Sequence, residues 1–224
     1  MKIEKEFMLL KNYEKASNYS RFFKTGMGDY GYGDLFLGIA VPEVRKIAKK
    51  YIDLDYLDLK KLICSKYHEL RLAALIILTS KFYSEPKKVY NFYFDNINFI
   101  NNWDLVDLSA PNIFGKYLFN NERSILYDLA KSENLWEKRI AIISTFYFIR
   151  KNQFYDTLKI SEILINDKHD LIHKAVGWML REIGKRDIKT EEKFLLKYYK
   201  IMPRTMLRYA IEKFDKEKRN FYMN

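Results

Sequence analysis

Trp103 and Asp107 stand four residues apart in NNWDLVDL, so on a helix they share one face. A flat indole beside a carboxylate suits a planar cation, the ring offering its π face and the carboxylate its charge. The same spacing also describes a core tryptophan next to a salt-bridged aspartate. Lys174, Trp178, Arg181 and Lys185 follow i, i+4, i+7, i+11 and form one stripe of a single helix. Cations flanking an aromatic match a nucleic-acid groove, where charges hold phosphates and rings contact sugar or base. A solvated basic edge with a boundary tryptophan has the same pattern. His169 and His173 are also four apart, but the chain has three histidines and no HExxH, which argues against a metal site. The single cysteine, Cys64, has no histidine partner nearby in the sequence and is not read as a nucleophile. It also excludes a disulfide framework and any multi-cysteine metal site.

The elements that must carry these residues are helices. Apolar residues recur at three- and four-residue spacings in Leu62–Phe82, Trp136–Ile149, Leu171–Ile183 and Met202–Phe214. Pro42, Pro86, Pro111 and Pro203 fall between such segments, each fitting the first turn of a new helix. No long alternating strand and no βαβ rhythm is present, so the fold class is all-α. The exception is Thr25–Gly38, TGMGDYGYGDLFLG, with five of the eight glycines. Glycine at that density gives up helix stability for unusual backbone angles, which predicts an irregular connecting loop over 25–38. No Gly-Lys-Ser/Thr follows and no strand precedes it, so it is neither a P-loop nor a dinucleotide fingerprint.

A repeat organises the helices. Ala73, Ala141, Ala175 and Ala210 are separated by 68, 34 and 35 residues, and the missing register position is Asp107. A period in the mid-thirties with two helices per unit predicts a HEAT-like solenoid, an α-α superhelix with a concave basic face, forming one domain over 1–224. Small residues in one column let helices approach closely, and a carboxylate in that column is costly unless it is paired or functional. Arg71, Arg139 and Arg208 each precede their alanine by two. Arg139 either extends the basic surface or stacks on a neighbouring repeat, as Arg71 and Arg208 do in the second case.

Composition narrows the class. The 224 residues carry 40 Lys+Arg against 29 Asp+Glu, a formal +11. Residues 1–120 hold 18 basic and 14 acidic side chains; residues 121–224 hold 22 and 15, so the excess leans towards the C-terminal half. Basic charge predicts a polyanion partner or simply a lysine-rich, well-solvated surface. With 48% hydrophobic residues the chain can bury a full core. The longest strictly apolar run, Leu72–Leu78, is far short of a membrane span, and the opening MKIEKEF is too charged for a secretory signal. The expectation is a soluble, reduced, cytoplasmic protein without a membrane association.

Five blocks in colinear order, RFFKTGMGDYGYGDLFLGIAVPEVRKIAKKY (21–51), NNWDLVDLSAPNIFGKYL (101–118), LWEKRIAIISTFYFIRK (135–151), DLIHKAVGWMLREIGKRD (170–187) and MPRTMLRYAIEKF (202–214), resemble the AlkD-like DNA alkylation repair family of HEAT-repeat glycosylases. The resemblance implies a monomer that holds double-stranded DNA and excises positively charged alkylated purines, chiefly N7-alkylguanine and N3-alkyladenine, without flipping the base. The family's Trp-x3-Asp pair, later Arg and Trp-x2-Arg pair match Trp103, Asp107, Arg139, Trp178 and Arg181. They imply Asp107, Trp103 and Trp178 as catalytic residues and Arg139, Arg181, Lys174 and Lys185 as DNA-binding ones. The bound state implies a nucleoid location. No metal or organic cofactor is expected, because the substrate brings its own leaving group, and no imine-forming lysine is required. The rival expectation is a non-catalytic helical-repeat scaffold that binds nucleic acid or protein.

Overall fold

The computed structural model describes all 224 residues, and they fall into two compact units, Met1–Ser109 and Ala110–Asn224. The first contains α1 (Lys2–Leu9), α2 (Tyr13–Phe22), α3 (Val41–Lys50), α4 (Tyr56–Ile63), α5 (His68–Lys81), α6 (Pro86–Asp95), a 3-10 turn (Ile97–Phe99) and α7 (Trp103–Ser109). The second opens with a π-helical turn (Pro111–Gly115). It continues through α8 (Lys116–Leu118), α9 (Ser124–Ala130), α10 (Leu135–Ser144), α11 (Phe146–Ile149), α12 (Tyr155–Leu164), α13 (Asp170–Gly184), α14 (Ile188–Tyr198) and α15 (Arg204–Ala210). A 3-10 turn (Ile211–Lys213) and α16 (Lys216–Met223) complete it. There is no strand, only a parallel bridge between Leu35 and Tyr67. The fold is an all-α helical-repeat solenoid, and no helix is long and apolar enough to cross a membrane.

Local chemistry sets the helix ends. Asn12, Asp55 and Asp187 accept the N–H of Lys15, Asp58 and Thr190, at 2.9, 2.8 and 3.1 Å. Each such cap is worth ~1 kcal/mol, because it satisfies a backbone donor the helix leaves open. His169 caps α13, its Nδ1 accepting the Leu171 N–H at 3.1 Å, and His173 contacts the Asp167 carbonyl. Pro86 opens α6 and Pro42 stands second in α3, where a missing N–H does no harm. Pro203 caps α15, whereas Pro111 opens the π-helical turn, in which the Gly115 N–H reaches back to the Ala110 carbonyl at 2.8 Å.

The segment Leu62–Phe82, read as one helical run, is two helices. The Leu35 N–H donates to the Lys66 carbonyl at 3.1 Å and the His68 N–H donates to the Leu35 carbonyl at 2.8 Å. The glycine-rich loop thus takes backbone groups that an unbroken helix would need. The loop is irregular, as expected for 25–38, and it is anchored at its end. The Glu69 carboxylate accepts the N–H groups of Leu37, Gly38 and Ile39 at 2.8–3.2 Å. Gly38 adopts φ +81° and lets the Asn12 carbonyl approach where a Cβ would stand, so two requirements select glycine there.

The repeat register survives in three dimensions. Ala73, Ala141, Ala175 and Ala210 lie fully buried on α5, α10, α13 and α15, while Asp107 holds the corresponding place on α7 and is half-buried. In the first unit α5 packs against α3, α4 and α7. In the second, α13 packs against α10, α12, α14 and α15. Gly177 faces the Met206 carbonyl and the Tyr209 side chain so closely that no Cβ fits, which fixes the approach of α13 to α15.

Candidate active site

Trp103 opens α7 and Asp107 follows one turn later, both half-buried. The helix is set in place by its own N-terminal chemistry: the Asn102 carbonyl oxygen of the side chain accepts the Trp103 N–H at 2.9 Å. Leu105, Val106 and Ser109 are turned into the core. Behind them on α6 lies Tyr93, whose hydroxyl is 3.1 Å from Ser109 Oγ. Burial drives the Tyr93 phenol far above its ordinary pKa, and the Asp107 charge acts in the same direction. Asp107 is therefore close enough to Tyr93 for its charge to be felt.

The Trp103 indole stacks on Phe23, with centroids 5.3 Å apart and planes 18° apart, and meets Phe22 edge-on at 6.0 Å. Such pairs contribute about 0.5–1.5 kcal/mol each beyond area burial. Trp103, Phe22 and Phe23 line a cleft of about 600 Å³ with Tyr19, Phe36 and Asp104. Its walls are mostly apolar, aromatic and aliphatic together, and two carboxylates, Glu69 and Asp104, belong to its lining.

Beneath that cleft lies a buried polar cluster that spacing alone does not announce. Asp34, from the glycine-rich loop, sits 2.6 Å from Arg71 Nη2, 3.3 Å from His68 Nδ1 and 3.2 Å from Asn102 Nδ2. His68 Nε2 lies 2.8 Å from Asp104 Oδ2. Burial works against a charged His68, yet Asp104 and Asp34 outweigh it and hold the imidazole above its ordinary pKa. Burial likewise opposes the Asp34 carboxylate, but His68 and Arg71 keep it below the usual range. A sequence cue existed only in hindsight of the fold: Asp34 is the one acid between two of the loop glycines and an apolar run.

In the second unit the basic stripe is real. Lys174, Trp178 and Arg181 lie on α13, and Lys185 is its C-cap. Each is engaged. Lys174 pairs with Asp170 at 2.6 Å, and Arg181 pairs with Glu212. The buried Glu182 accepts both the Trp178 indole N–H, at 3.2 Å, and the Lys185 ammonium, at 2.5 Å. The Trp178 ring also lies 5.7 Å from Phe146. Arg139 on α10 is only 5% exposed, and its Nη1 donates to the Leu171 carbonyl at 2.6 Å. It belongs to the packing between α10 and the start of α13, and any phosphate contact would be made from within that packing. Arg71 is buried and paired, as a packing arginine should be, whereas Arg208 on α15 is exposed.

No group of three or more His, Cys, Asp or Glu side chains is arranged so that it could hold a metal ion. The model of the DNA alkylation repair enzyme family matches residues 3–214. The chain belongs to that family. It is a DNA repair enzyme by that membership, and DNA is its substrate class. Among solved structures, a chain described as a predicted DNA alkylation repair enzyme from Enterococcus faecalis is 19% identical. The match covers 92% of this chain and 97% of that one, with a TM-score of 0.73. AlkD2 from Streptococcus mutans is 20% identical over 96% of each chain, with a TM-score of 0.56. The protein smu.31 from Streptococcus mutans UA159 is 21% identical over 96% of each, with a TM-score of 0.54. At these identities the likeness speaks for the fold. No curated protein matches the sequence. Within this DNA alkylation repair enzyme, α7 and α13 each place a tryptophan at a half-buried position beside charged groups, whereas the third tryptophan, Trp136 on α10, is buried.

Proposed function

We propose that this protein is a monofunctional DNA glycosylase, a single repeat domain over 1–224 that acts as a monomer in the cytoplasm, at the nucleoid when DNA is bound. It hydrolyses the N-glycosidic bond of N7-alkylguanine and N3-alkyladenine in duplex DNA without flipping the base. Alkylation at N7 or N3 gives the purine a formal positive charge and weakens that bond. As it breaks, positive charge moves to the deoxyribose in an oxocarbenium-like transition state. Asp107 stabilises the developing cation and orients the attacking water, which leaves an abasic site. Trp103 and Trp178 contact the lesion nucleotide through faces that favour cations. Arg181, Lys174, Lys185 and Arg139 hold phosphates. No metal or cofactor enters the step.

The observation that carries this reading is the half-buried Asp107, one turn after Trp103, in a register column whose other members are fully buried alanines. A scaffold gains nothing from a carboxylate on a polyanion-binding surface, since it repels phosphate. The test is release of free base from a duplex bearing one N7-methylguanine, with Asp107→Asn alongside. The expected result is excision by the wild type and loss of most of it in the variant, with DNA affinity retained. Absence of excision by a folded, DNA-binding wild type would leave the non-catalytic scaffold.

A further inference from the structure

We propose that His68 is a positioning residue for α7: held as an imidazolium between Asp34 and Asp104, it pins the first turn of that helix to the glycine-rich loop and so sets where Trp103 and Asp107 stand. The inference deepens the reading above, because it takes Asp107 as the catalytic carboxylate.

An ionised carboxylate can only accept, and His68 has one on each ring nitrogen: Asp34 at Nδ1, 3.3 Å away, and Asp104 at Nε2, 2.8 Å away. Both contacts are satisfied together only when both nitrogens carry protons. The His68 side chain is 2% exposed and that of Asp34 4%, so water is excluded from their contact. The charged groups around the ring come from three elements. The loop supplies Asp34, α5 supplies Arg71, and α7 supplies Asp104. Glu69 is adjacent in sequence, but its carboxylate is occupied by the N–H groups of Leu37, Gly38 and Ile39. Two carboxylates thus face one guanidinium and one imidazole, and the cluster is neutral only with a protonated ring. A lost proton would leave an uncompensated negative charge around a buried ring, with Asp104 reaching the cleft at its edge, which is unfavourable.

The ring is also gripped from its faces. Phe36 stacks on it at 4.7 Å and Phe23 lies against it at 5.0 Å, and Phe23 in turn stacks on Trp103 at 5.3 Å. His68 therefore reaches the α7 indole by two routes, through Asp104 in the backbone position next to Trp103 and through the Phe23 ring. Asn102, which receives Trp103 at the helix start, is itself tied to Asp34 at 3.2 Å. Asp107 lies three residues beyond Asp104 on a helix of seven residues, so a change at the first turn moves the whole element.

The test uses nitrogen-15 NMR on the full chain together with single-turnover excision. In the wild type, both His68 ring nitrogens are expected to be protonated at pH 7.5. The Trp103 indole N–H signal is expected to shift at alkaline pH with the His68 midpoint. In His68→Gln the Trp103 signal should be displaced at all pH values and lose that transition. The rate of N7-methylguanine release should fall roughly 10- to 100-fold, the scale of a small misplacement of catalytic groups. DNA affinity should stay within about twofold, since no phosphate-binding side chain is touched. Asp104→Asn, which keeps the shape and a hydrogen bond, serves if His68→Gln does not fold; it should lower the His68 midpoint and displace Trp103 in the same direction. A singly protonated ring at pH 7.5 would overturn the proposal, as would a Trp103 signal and excision rate unmoved in both variants. If the wild type releases no base while the NMR coupling holds, the glycosylase reading fails and the coupling of His68 to α7 stands.

Discussion

The Arg181 guanidinium on α13 is tied to the Glu212 carboxylate in the 3-10 turn that follows α15. Glu212 is held below its ordinary pKa by Lys213 and by Arg181 itself, so it is ionised wherever DNA repair operates. A phosphate that recruits Arg181 must compete with that carboxylate. Glu212→Gln is therefore expected to tighten duplex binding at low salt by roughly two- to fivefold, the scale of a partly exposed ion pair. Arg181→Ala should weaken binding and reduce the slope of log K against log salt by about 1. Filter binding or fluorescence anisotropy across a salt series checks both. An unchanged slope in Arg181→Ala would place that side chain away from phosphates.

Selectivity should follow charge. A neutral lesion such as uracil is a poorer leaving group and has no cationic face to set against an indole. Excision of uracil from duplex DNA is expected to be negligible beside that of N7-methylguanine in a side-by-side assay of released base. Efficient uracil release would remove the electrostatic account of Asp107.

Gly177 predicts a stability effect that chemistry at the site does not share. A Cβ there would collide with the Met206 backbone carbonyl and Tyr209, neither of which can swing aside cheaply. Gly177→Ala should destabilise the fold by about 1–3 kcal/mol despite the better helix propensity of alanine. That corresponds to a drop in Tm of roughly 2–10 °C for a chain of this size. Thermal unfolding followed by circular dichroism reads it directly, and a raised Tm would mean that α13 and α15 separate without penalty.

Glu191 predicts a pH effect. It is 2% exposed on α14, its Oε1 has no hydrogen-bond partner, and burial pushes its pKa up to about 8. Between its ordinary value of 4.5 and about 8 the folded protein keeps a proton that the unfolded chain has released. The folded state then binds more protons, so this group's contribution falls as pH rises through that window and levels off above it. Glu191→Gln should flatten that decline, and urea unfolding at pH 5, 7 and 9 measures it. An identical pH dependence in variant and wild type would show that Glu191 ionises freely in the fold.

Much of this molecule was legible before any coordinates. Periodicity at three and four residues gives the helices, because burying one stripe of a helix is the main force that holds it. The alanine column gives the repeat, because only small side chains let helices approach so closely. Trp103 with Asp107 and the stripe from Lys174 to Lys185 can be read from spacing, since residues four apart on a helix must share a face. The family blocks add the chemistry such a surface serves.

Tertiary structure decided the rest. The break between α4 and α5 arises from hydrogen bonds of Lys66 and His68 to Leu35, more than thirty residues earlier, which no local pattern encodes. Whether a basic residue is free or packed is equally non-local: Arg71, Arg139 and Arg208 hold the same register position, yet two are buried and one is exposed. The cluster of Asp34, His68, Arg71, Asn102 and Asp104 spans 71 positions of sequence and exists only because a loop, α5 and α7 meet. Sequence sets what each side chain can do through its own chemistry and its place on a helix. Which partner it meets depends on contacts between distant segments, and those are fixed only when the chain packs.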